Sequence, residues 1–443
     1  MKKLLPIIIL LLFFQGVVYV NAIPAIREAN HLYNFELMPV GNEKIEIDKE
    51  IFTFDLRETE KSFFPQAEVK AQYVILNQGE PQSVKLALPC LATYEEAMEF
   101  YLQNISVNNK YLESSFYVGD WNNSYQNFGF EENEIDFKEE FSEATSSDYS
   151  FPELSGYLYK FELPFGVNDL PLEVEFEPGT KFILEENQFS SFSNRLYLKL
   201  NPTSDSNDIY LYVIGEKSNL QIIIPEDSSG VRITDEALNF IDFYQIYLEE
   251  PDHLLKDLII KHNLKKFLAS ERQAAICRWD LQAYNLKRLW FHVVEPELLG
   301  NNLENNLEFS YKITGHRDNR YSPPVFEFRY FLSSARYWKD YSRLIVRIYP
   351  NAEIKYHLKD YYDFTWKADG YYETEISSYP EEMLLLRFCE KSKPKVSTNP
   401  FYIVLYLFII FFVLIPIFVF IMAGVILFVI ERKKENRYKS GLK

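Results

Sequence analysis

The chain has 443 residues, a formal net charge of −18 and an aromatic content of 17%. So acidic a protein is poorly suited to binding nucleic acid, because two negative surfaces repel each other. Its three cysteines, Cys90, Cys277 and Cys389, are too few for a disulfide framework, and we interpret them as packing residues with one disulfide left open.

The first 22 residues have the three-part layout of a secretory signal peptide. Lys2 and Lys3 precede an apolar run over 4–14, and the segment ends in residues that a signal peptidase accepts. The sequence therefore predicts a signal peptide over 1–22 with cleavage after Ala22. An uncleaved N-terminal anchor is the alternative.

Residues 23–185 are predicted to form a first β domain. Alternating apolar and polar residues over 67–76 and 83–88, on either side of a Gly/Pro turn, predict a β-hairpin. A second hairpin is predicted over 105–112, with its turn at Asn108-Asn109.

A short helix is predicted between these two hairpins. Thr93 is followed three residues later by Glu96, which is the spacing of a capping box at a helix start. We therefore expect a helix over 93–102.

Residues 131–153 differ in composition from the rest of this domain. They contain nine acidic residues and a single base, Lys138. Such a run is typical of a mobile, solvated insertion, which is our prediction. A cation site is the alternative, although the spacing matches no calcium loop.

A second β domain is predicted over 186–400. Short strand patterns recur through 157–224 and again after Pro296, at the frequency typical of β-sandwiches. A helical block at about 234–290 interrupts them, with predicted helix starts at Thr234, Asp252 and Ser270. The predicted fold class is therefore mainly β, with two β-sandwich-like domains, the second carrying a helical insertion.

A transmembrane helix is predicted over 401–430, which contains no charged residue and no histidine. About 20 apolar residues suffice to cross a bilayer, and the one internal proline, Pro416, is tolerated with a kink. A buried soluble helix is the alternative. The tail, 431–443, holds six Lys/Arg and two Glu, which predicts that it is cytoplasmic.

The charge is divided unevenly by this topology. The two N-terminal lysines contribute +2 and the tail contributes +4 to the total of −18, so residues 23–400 carry −24. We interpret this acidity as a device for solubility, with a cationic or basic partner as the alternative.

No motif of catalysis or metal binding stands out. A Gly-x-Ser-x-Gly elbow is absent, and the six histidines form no His-Glu-x-x-His pair. The triplet His316-Arg317-Asp318 lacks the glycine-rich loop that a kinase needs. We therefore expect no catalytic, metal-binding or cofactor-binding residues, although a dispersed carboxylate pair among the 64 acids stays open.

Aromatic residues crowd one region near the end of the second β domain. Exposed rings of this kind bind sugars or anchor a partner, whereas buried rings fill a core. The candidate binding surface comprises Tyr337, Trp338, Tyr341, Tyr361, Tyr362 and Trp366.

Two stretches resemble uncharacterised Gram-positive-type bacterial surface proteins. They are 67–77, running to Leu88-Pro89, and 330–340, running into 344–348. The resemblance implies a signal peptide, a β-rich ectodomain and a C-terminal membrane anchor. It implies no reaction, so no functional residue is carried over.

These observations lead to one expected function and two alternatives. We expect a single-pass cell-membrane protein with an extracellular, non-catalytic ectodomain that binds a protein or a wall polymer, and no nucleic acid. The alternatives are an extracellular hydrolase with an unrecognised carboxylate pair and an accessory subunit of a membrane complex.

Overall fold

The computed structural model describes residues 33–34, 37–41, 45–59, 65–101, 105–121, 135–164, 170–185, 189–200, 208–215, 220–225, 230–250, 253–332, 336–358, 362–377, 384–396, 420–426, 430 and 432. The predicted signal peptide lies outside these residues, as do 401–419 of the predicted transmembrane helix and nearly all of the tail. Residues 420–426 are helical. Over the described part of the chain, no helix combines the length and the hydrophobicity needed to cross a membrane.

The described chain is mainly β. Its strands up to residue 146 are β1 (Tyr33–Asn34), β2 (Met38–Pro39), β3 (Ile45–Asp55), β4 (Gln66–Asn77), β5 (Gln82–Ser83), β6 (Leu86–Ala92), β7 (Ile105–Val107), β8 (Lys110–Tyr111), β9 (Ser114–Trp121) and β10 (Thr145–Ser146). The next group comprises β11 (Gly156–Glu162), β12 (Leu170–Glu175), β13 (Lys181–Leu184), β14 (Phe189–Phe192), β15 (Arg195–Leu200), β16 (Asp208–Ile214), β17 (Gln221–Ile223), β18 (Arg232–Ala237) and β19 (Ala275–Cys277). The last group comprises β20 (Arg288–Val294), β21 (Glu297–Leu298), β22 (Glu304–Thr314), β23 (His316–Asp318), β24 (Tyr321–Ser322), β25 (Val325–Tyr330), β26 (Leu344–Tyr349), β27 (Tyr356–Leu358), β28 (Thr365–Trp366), β29 (Tyr372–Ile376), β30 (Leu384–Cys389) and β31 (Lys395–Val396).

Few helices occur in the described part of the chain before residue 400. They are α1 (Tyr94–Tyr101), α2 (Phe137–Glu143), α3 (Phe240–Phe243), α4 (Leu254–Ala269) and α5 (Arg278–Gln282). A π-helical turn, Tyr244–Leu248, directly continues α3. The longest helix, α4, buries residues on several sides, so it packs inside the protein and not on its surface.

The largest sheet has the strand order β28-β29-β26-β3-β4-β22-β7-β8. Its pairs are antiparallel except for β3 and β26, which run parallel. Buried and more exposed residues alternate along β4, because successive side chains of a strand point to opposite faces. The sheet therefore joins chain segments before residue 112 to segments after residue 303.

Two further sheets share one core with this large sheet. Their orders are β1-β6-β20-β9-β10, with β2 also paired to β6, and β23-β25-β30-β27. Phe52 and Tyr73 of the large sheet belong to the same buried cluster as Trp290 and Phe388 of the other two. Burial of such large rings is the main source of stability for this part of the fold.

Strands within 156–237, together with β19, form a separate pair of sheets between β10 and β20. Their orders are β18-β11-β16-β13-β19 and β14-β15-β12-β17, and they share a second core that includes Phe161 and Leu196. The predicted domain boundary between 185 and 186 falls inside this pair, since β12 pairs with β15 and β13 pairs with β16.

A helical layer covers the second face of the β13–β16 sheet. Ile183 and Tyr212 point away from the second core and pack against α3, the π-turn and α4 in a third cluster. The helix α4 also contributes Leu258 and Ile259 to the first core. It therefore contacts both β-rich parts of the molecule.

The first predicted hairpin is wrong. Strand β4 pairs with β3 and β22, whereas β6 pairs with β1, β2 and β20 in another sheet. In the link between the two strands, the side chain of the buried Asn77 accepts a hydrogen bond from Gly79 N at 3.0 Å and donates to Glu80 O at 2.8 Å. These bonds shape a link that carries the chain to the next layer.

The second predicted hairpin and the predicted capped helix are confirmed. Strands β7 and β8 pair across Asn108 and Asn109, whose φ angles are +48° and +65°. Asparagine tolerates this left-handed region better than most residues. Thr93 N donates to the Glu96 carboxylate at 2.8 Å at the start of α1, as a capping box requires.

The acidic segment is not a mobile, solvated insertion over its described residues, 135–153. It contains α2 and β10, and Ile135, Phe137 and Phe151 are buried. Asp136 caps α2 by accepting hydrogen bonds from two backbone amides of its first turn. The acidic side chains face solvent while a few apolar residues anchor the segment, so composition alone misrepresented it.

The helical block predicted at about 234–290 is confirmed in part, by α3 with its π-turn, by α4 and by α5. Thr234 lies in β18, and residues 275–277, predicted as helix, form β19 and pair in parallel with β13. Cys277 and its neighbours are buried on both sides, a setting in which helical periodicity gives no guidance. The strand patterns predicted after Pro296 are confirmed by β22, β25, β26, β29 and β30.

Candidate functional site

Two of the six predicted aromatic surface residues lie in the core. Trp338 is buried and its Nε1 donates a hydrogen bond to Leu37 O at 2.7 Å. Tyr341 is buried and donates its hydroxyl hydrogen to the Glu50 carboxylate. Both rings hold distant segments of the chain together, which leaves no face for a ligand.

The other members of the predicted surface that the structure describes have different settings. The Tyr337 hydroxyl accepts from Phe137 N at 2.9 Å and donates to Asp136 at 3.0 Å, so this half-buried ring fixes the start of α2. Tyr362 packs against the first core, and Trp366 is 53% exposed on the edge strand β28. Tyr361 lies outside the described residues.

A pocket opens at the edge of the helical layer instead. Its lining comes from β13 and the residue that follows it, and from β16, α3, the π-turn and α5. The lining residues are Ile183, Leu184, Glu185, Tyr210, Tyr212, Phe243, Tyr247, Leu248 and Arg278. Its cavity volume is about 70 Å³, which suits a small group. The pocket is half open to solvent, so one end of a ligand would lie inside it and the other end would stay in solvent.

Strand alternation places the aromatic wall of this pocket. Along β16, Ile209, Leu211 and Val213 face the second core. Tyr210 and Tyr212 consequently point to the opposite face, towards the helices. The sequence contained this signal, since the tyrosines alternate with aliphatic residues.

The opposite wall comes from the π-turn. Glu249 N bonds to Tyr244 O at 2.8 Å, five residues back, and this wider turn brings Tyr247 and Leu248 to the pocket. Single π-turns within helices occur frequently at functional sites. The sequence pattern gives no signal that predicts this turn.

The rings form a continuous stack. Tyr212 and Phe243 lie face to face, with centroids 4.0 Å apart and planes at 9°. Phe243 continues to Tyr247 at 5.2 Å, and Tyr247 contacts Tyr210 at 5.3 Å. The Tyr212 hydroxyl is already used, since it donates to Leu238 O at 2.9 Å. The wall is therefore a rigid apolar surface.

Two opposite charges line the same pocket. Burial raises the pKa of Glu185, whereas a hydrogen bond from Tyr210 N and the positive charge of Arg278 act to lower it. The Arg278 side chain makes no hydrogen bond or ion pair with any residue that the structure describes. The carboxylate and the guanidinium influence each other but do not pair, so both remain open to a bound group.

A second polar cluster lies between α4 and the β9–β10 region. His262 Nε2 is 2.8 Å from Asp120 Oδ1, and His262 Nδ1 is 3.0 Å from Thr145 Oγ1. Lys266 also pairs with Asp120. Burial alone would raise the pKa of Asp120, but the hydrogen bonds from His262 and Lys266 lower it to about 2.

The cluster has the order of a hydroxyl–imidazole–carboxylate triad but the wrong exposure. Thr145 is 1% exposed and His262 is fully buried, whereas the carboxylate reaches solvent. Burial lowers the pKa of His262, so the ring is neutral at pH 7 and donates from Nε2 to Asp120. A nucleophile must reach its substrate, and this hydroxyl is enclosed.

Arg288 lies beside this cluster and is completely buried. Its Nη1 donates to Asn263 Oδ1 at 3.1 Å, while Nε and Nη2 have no hydrogen-bond partner among the described residues. Burial lowers the pKa of Arg288 to about 10. Sequence reasoning found neither this residue nor the cluster, because their members come from distant segments.

Metal and thiol chemistry receive no support from the described residues. No group of three or more His, Cys, Asp or Glu side chains there could hold a metal ion. Cys90, Cys277 and Cys389 are all buried and free, so the disulfide left open by the sequence does not form among them. Burial raises the pKa of Cys277 to about 11, which keeps this thiol protonated and unreactive.

Comparison with known proteins gives no family. No family description matches the chain, and no curated protein is similar to it in sequence. Among solved structures, it is similar to a "putative nutrient binding protein" from Legionella pneumophila, at 9% identity and a TM-score of 0.33. The match covers 82% of this chain and 72% of the other.

Proposed function

We propose that this chain is a single-pass surface protein whose β-rich part is a non-catalytic binding module. The observation that carries the proposal is the pocket formed by Tyr210, Tyr247, Glu185 and Arg278 with their neighbours. Pockets with apolar walls and a few convergent polar groups are the usual form of a ligand site. This pocket holds one guanidinium and one carboxylate against a wall of stacked rings.

The membrane part of the proposal rests on the sequence. Residues 401–430 carry no charge and are followed by a tail with a net charge of +4, which favours a cytoplasmic C-terminus. Protease added to intact cells would then remove the part before residue 401 and spare the tail. Removal of the tail alone would refute this orientation.

The finer architecture is also proposed here. The large sheet and its two partner sheets form one sandwich-like unit, and 156–237 with β19 form a second that is inserted into the first. The two separate buried cores support this division. The insertion places the pocket beside α4, which contacts both units.

A hydrolase is the less well supported alternative. Burial raises the pKa of two described glutamates, Glu140 and Glu185, but they lie in different places. The negative charge of Asp120, in the polar cluster, also raises the pKa of Glu140. Glu185 lines the pocket instead. An acid pair for hydrolysis must flank one substrate bond.

A photocrosslinking experiment tests the binding function. A photoreactive amino acid would replace Trp279, which is 70% exposed and adjoins Arg278, in the full chain in its native cells. The control position is Trp366, which is exposed on another sheet. We expect an added mass at position 279 that Tyr247→Ala abolishes, and none at position 366. Equal labelling at both positions, or no labelling at either, would overturn the proposal.

A further inference from the structure

We infer that the pocket takes a small α-amino acid in its zwitterionic form, with the carboxylate at Arg278 and the ammonium group at Glu185. This inference rests on the proposed binding function and adds the chemical class of the ligand. It follows from three properties of the pocket, namely its charges, its size and its apolar wall.

The first property is the pair of opposite charges in the pocket. Arg278 and Glu185 line one pocket, yet no ion pair joins them. An unpaired guanidinium favours a carboxylate, to which it can donate two parallel hydrogen bonds. A ligand with only an anionic group would leave Glu185 facing that negative charge. A ligand with both charges, separated by one carbon atom, satisfies the two side chains together.

Size limits the ligand further. The cavity volume is about 70 Å³, so the pocket encloses only a small group. The ammonium, the α-carbon and the carboxylate of an α-amino acid form such a group. A longer side chain must extend through the open mouth of the pocket. The inference is therefore restricted to small members of the class, for which alanine is the probe.

The apolar wall gives the alanine methyl group its contact. Leu248 and the stacked rings of Phe243 and Tyr247 line the side of the pocket formed by the helical layer. Burial of the methyl group there should make alanine bind a few times more tightly than glycine. Arg278 and Glu185 line the same half-open pocket as this wall, where water screens their charges less than at an open surface.

The test is calorimetric titration of the full chain in detergent with L-alanine, propionate and propylamine. Propionate lacks the ammonium group and propylamine lacks the carboxylate. We expect saturable binding of alanine and at least tenfold weaker binding of the two analogues. Propionate binding as tightly as alanine would overturn the zwitterion and leave a simple anion site.

Two variants with matched controls locate the site. Arg278→Met and Glu185→Gln each remove one charge, and Gln keeps an acceptor for the Tyr210 N bond. Arg272→Met and Glu271→Gln make the same changes at exposed positions of the preceding loop. We expect a tenfold or greater loss of alanine affinity in the first pair and none in the second. Equal losses in both pairs would overturn the assignment.

The failure of this inference can be told apart from failure of the binding function. Absence of alanine binding up to 10 mM, together with Tyr247-dependent crosslinking at position 279, would sink the amino-acid ligand alone. Absence of both would sink the two proposals together. Melting curves of every variant confirm that a lost signal is not lost folding.

Discussion

The Nε2 atom of His262 lies 2.8 Å from Oδ1 of Asp120, a residue 142 positions earlier in the chain. His262 belongs to α4 in the helical layer, and Asp120 belongs to β9 of a sheet in the first core. The contact therefore joins the helical layer to a sheet of the first core. Thr145 completes the connection from β10.

Asp120→Asn should lower the free energy of unfolding at pH 7. The pKa of Asp120 is about 2 in the folded protein, below its ordinary value of 3.8, so the ionised carboxylate stabilises the fold. The group is 36% exposed, so screening reduces the loss to about 1 kcal/mol. Urea unfolding measures it.

The pH dependence gives the control for Asp120. The stabilisation is fully present above pH 3.8 and is lost as the pH falls through 2, so the variant and the wild type should converge in acid. Asp148→Asn, at an exposed carboxylate, should change little at any pH. A constant difference between pH 7 and pH 2 would contradict the electrostatic explanation.

His292→Leu should make stability less dependent on pH. Burial lowers the pKa of His292 to about 4 from the ordinary 6.5, and its ring stacks on Phe116 at 4.5 Å. Between these values the unfolded chain binds a proton that the folded protein does not, so stability falls as the pH falls from 6.5 to 4. The wild type should lose up to about 3 kcal/mol more than the variant over this window.

Unfolding in urea at pH 7.5, 6, 5 and 4 measures this difference. His253→Leu, at a half-buried histidine that precedes α4, serves as the matched control and should leave most of the pH dependence in place. Parallel stability curves for wild type and His292→Leu would show that His292 is not the titrating group.

Arg288→Met should stabilise the protein. The guanidinium is 0% exposed, and two of its nitrogens have no hydrogen-bond partner among the described residues. Replacing an incompletely satisfied buried charge by an apolar residue of similar length removes a desolvation cost, with an expected gain of about 1 to 3 kcal/mol. The lost bond to Asn263 reduces this gain by about 1 kcal/mol.

The melting temperature measures the effect, and Arg272→Met provides the exposed control. Destabilisation of Arg288→Met by more than about 2 kcal/mol would mean that the guanidinium has a compensating partner that our explanation lacks.

Trp338→Phe should destabilise the protein, whereas Trp366→Phe should not. The first change removes the hydrogen bond to Leu37 O inside the core and costs about 1 to 3 kcal/mol. The second changes an exposed ring on an edge strand, so its effect should stay within about 0.5 kcal/mol. Chemical denaturation compares them, and equal effects would contradict the placement of the two rings.

Local signals carried the correct sequence predictions. The hairpin at Asn108-Asn109 and the capping box of Thr93 and Glu96 depend on residues three positions apart or less. Prediction failed where the partner of a segment is remote, as for β4 and β6, which look like a hairpin but enter different sheets. It failed also for 275–277, where a fully buried strand has no alternating pattern.

The residues of the pocket, too, could be predicted from the sequence only in part. The alternation along β16 could have indicated that Tyr210 and Tyr212 share one face. Their partnership with Glu185, Tyr247 and Arg278 depends on the π-turn and on the parallel pairing of β19 with β13. Sequence reasoning instead chose the aromatic crowd at 337–366, because density of rings is visible in a sequence and their burial is not.

The sequence by itself determined the β-rich character of this protein, its acidic surface and the elements set by neighbouring residues. These follow from side-chain alternation, net charge and backbone preferences, all of which act over a few positions. Only the tertiary structure decided that residues 156–237 have a core of their own, that Trp338 is buried and that Arg278 lines a pocket with Glu185 without pairing to it. Each of those outcomes depends on which distant residues become neighbours when apolar surface is buried, and burial acts without regard to separation along the chain.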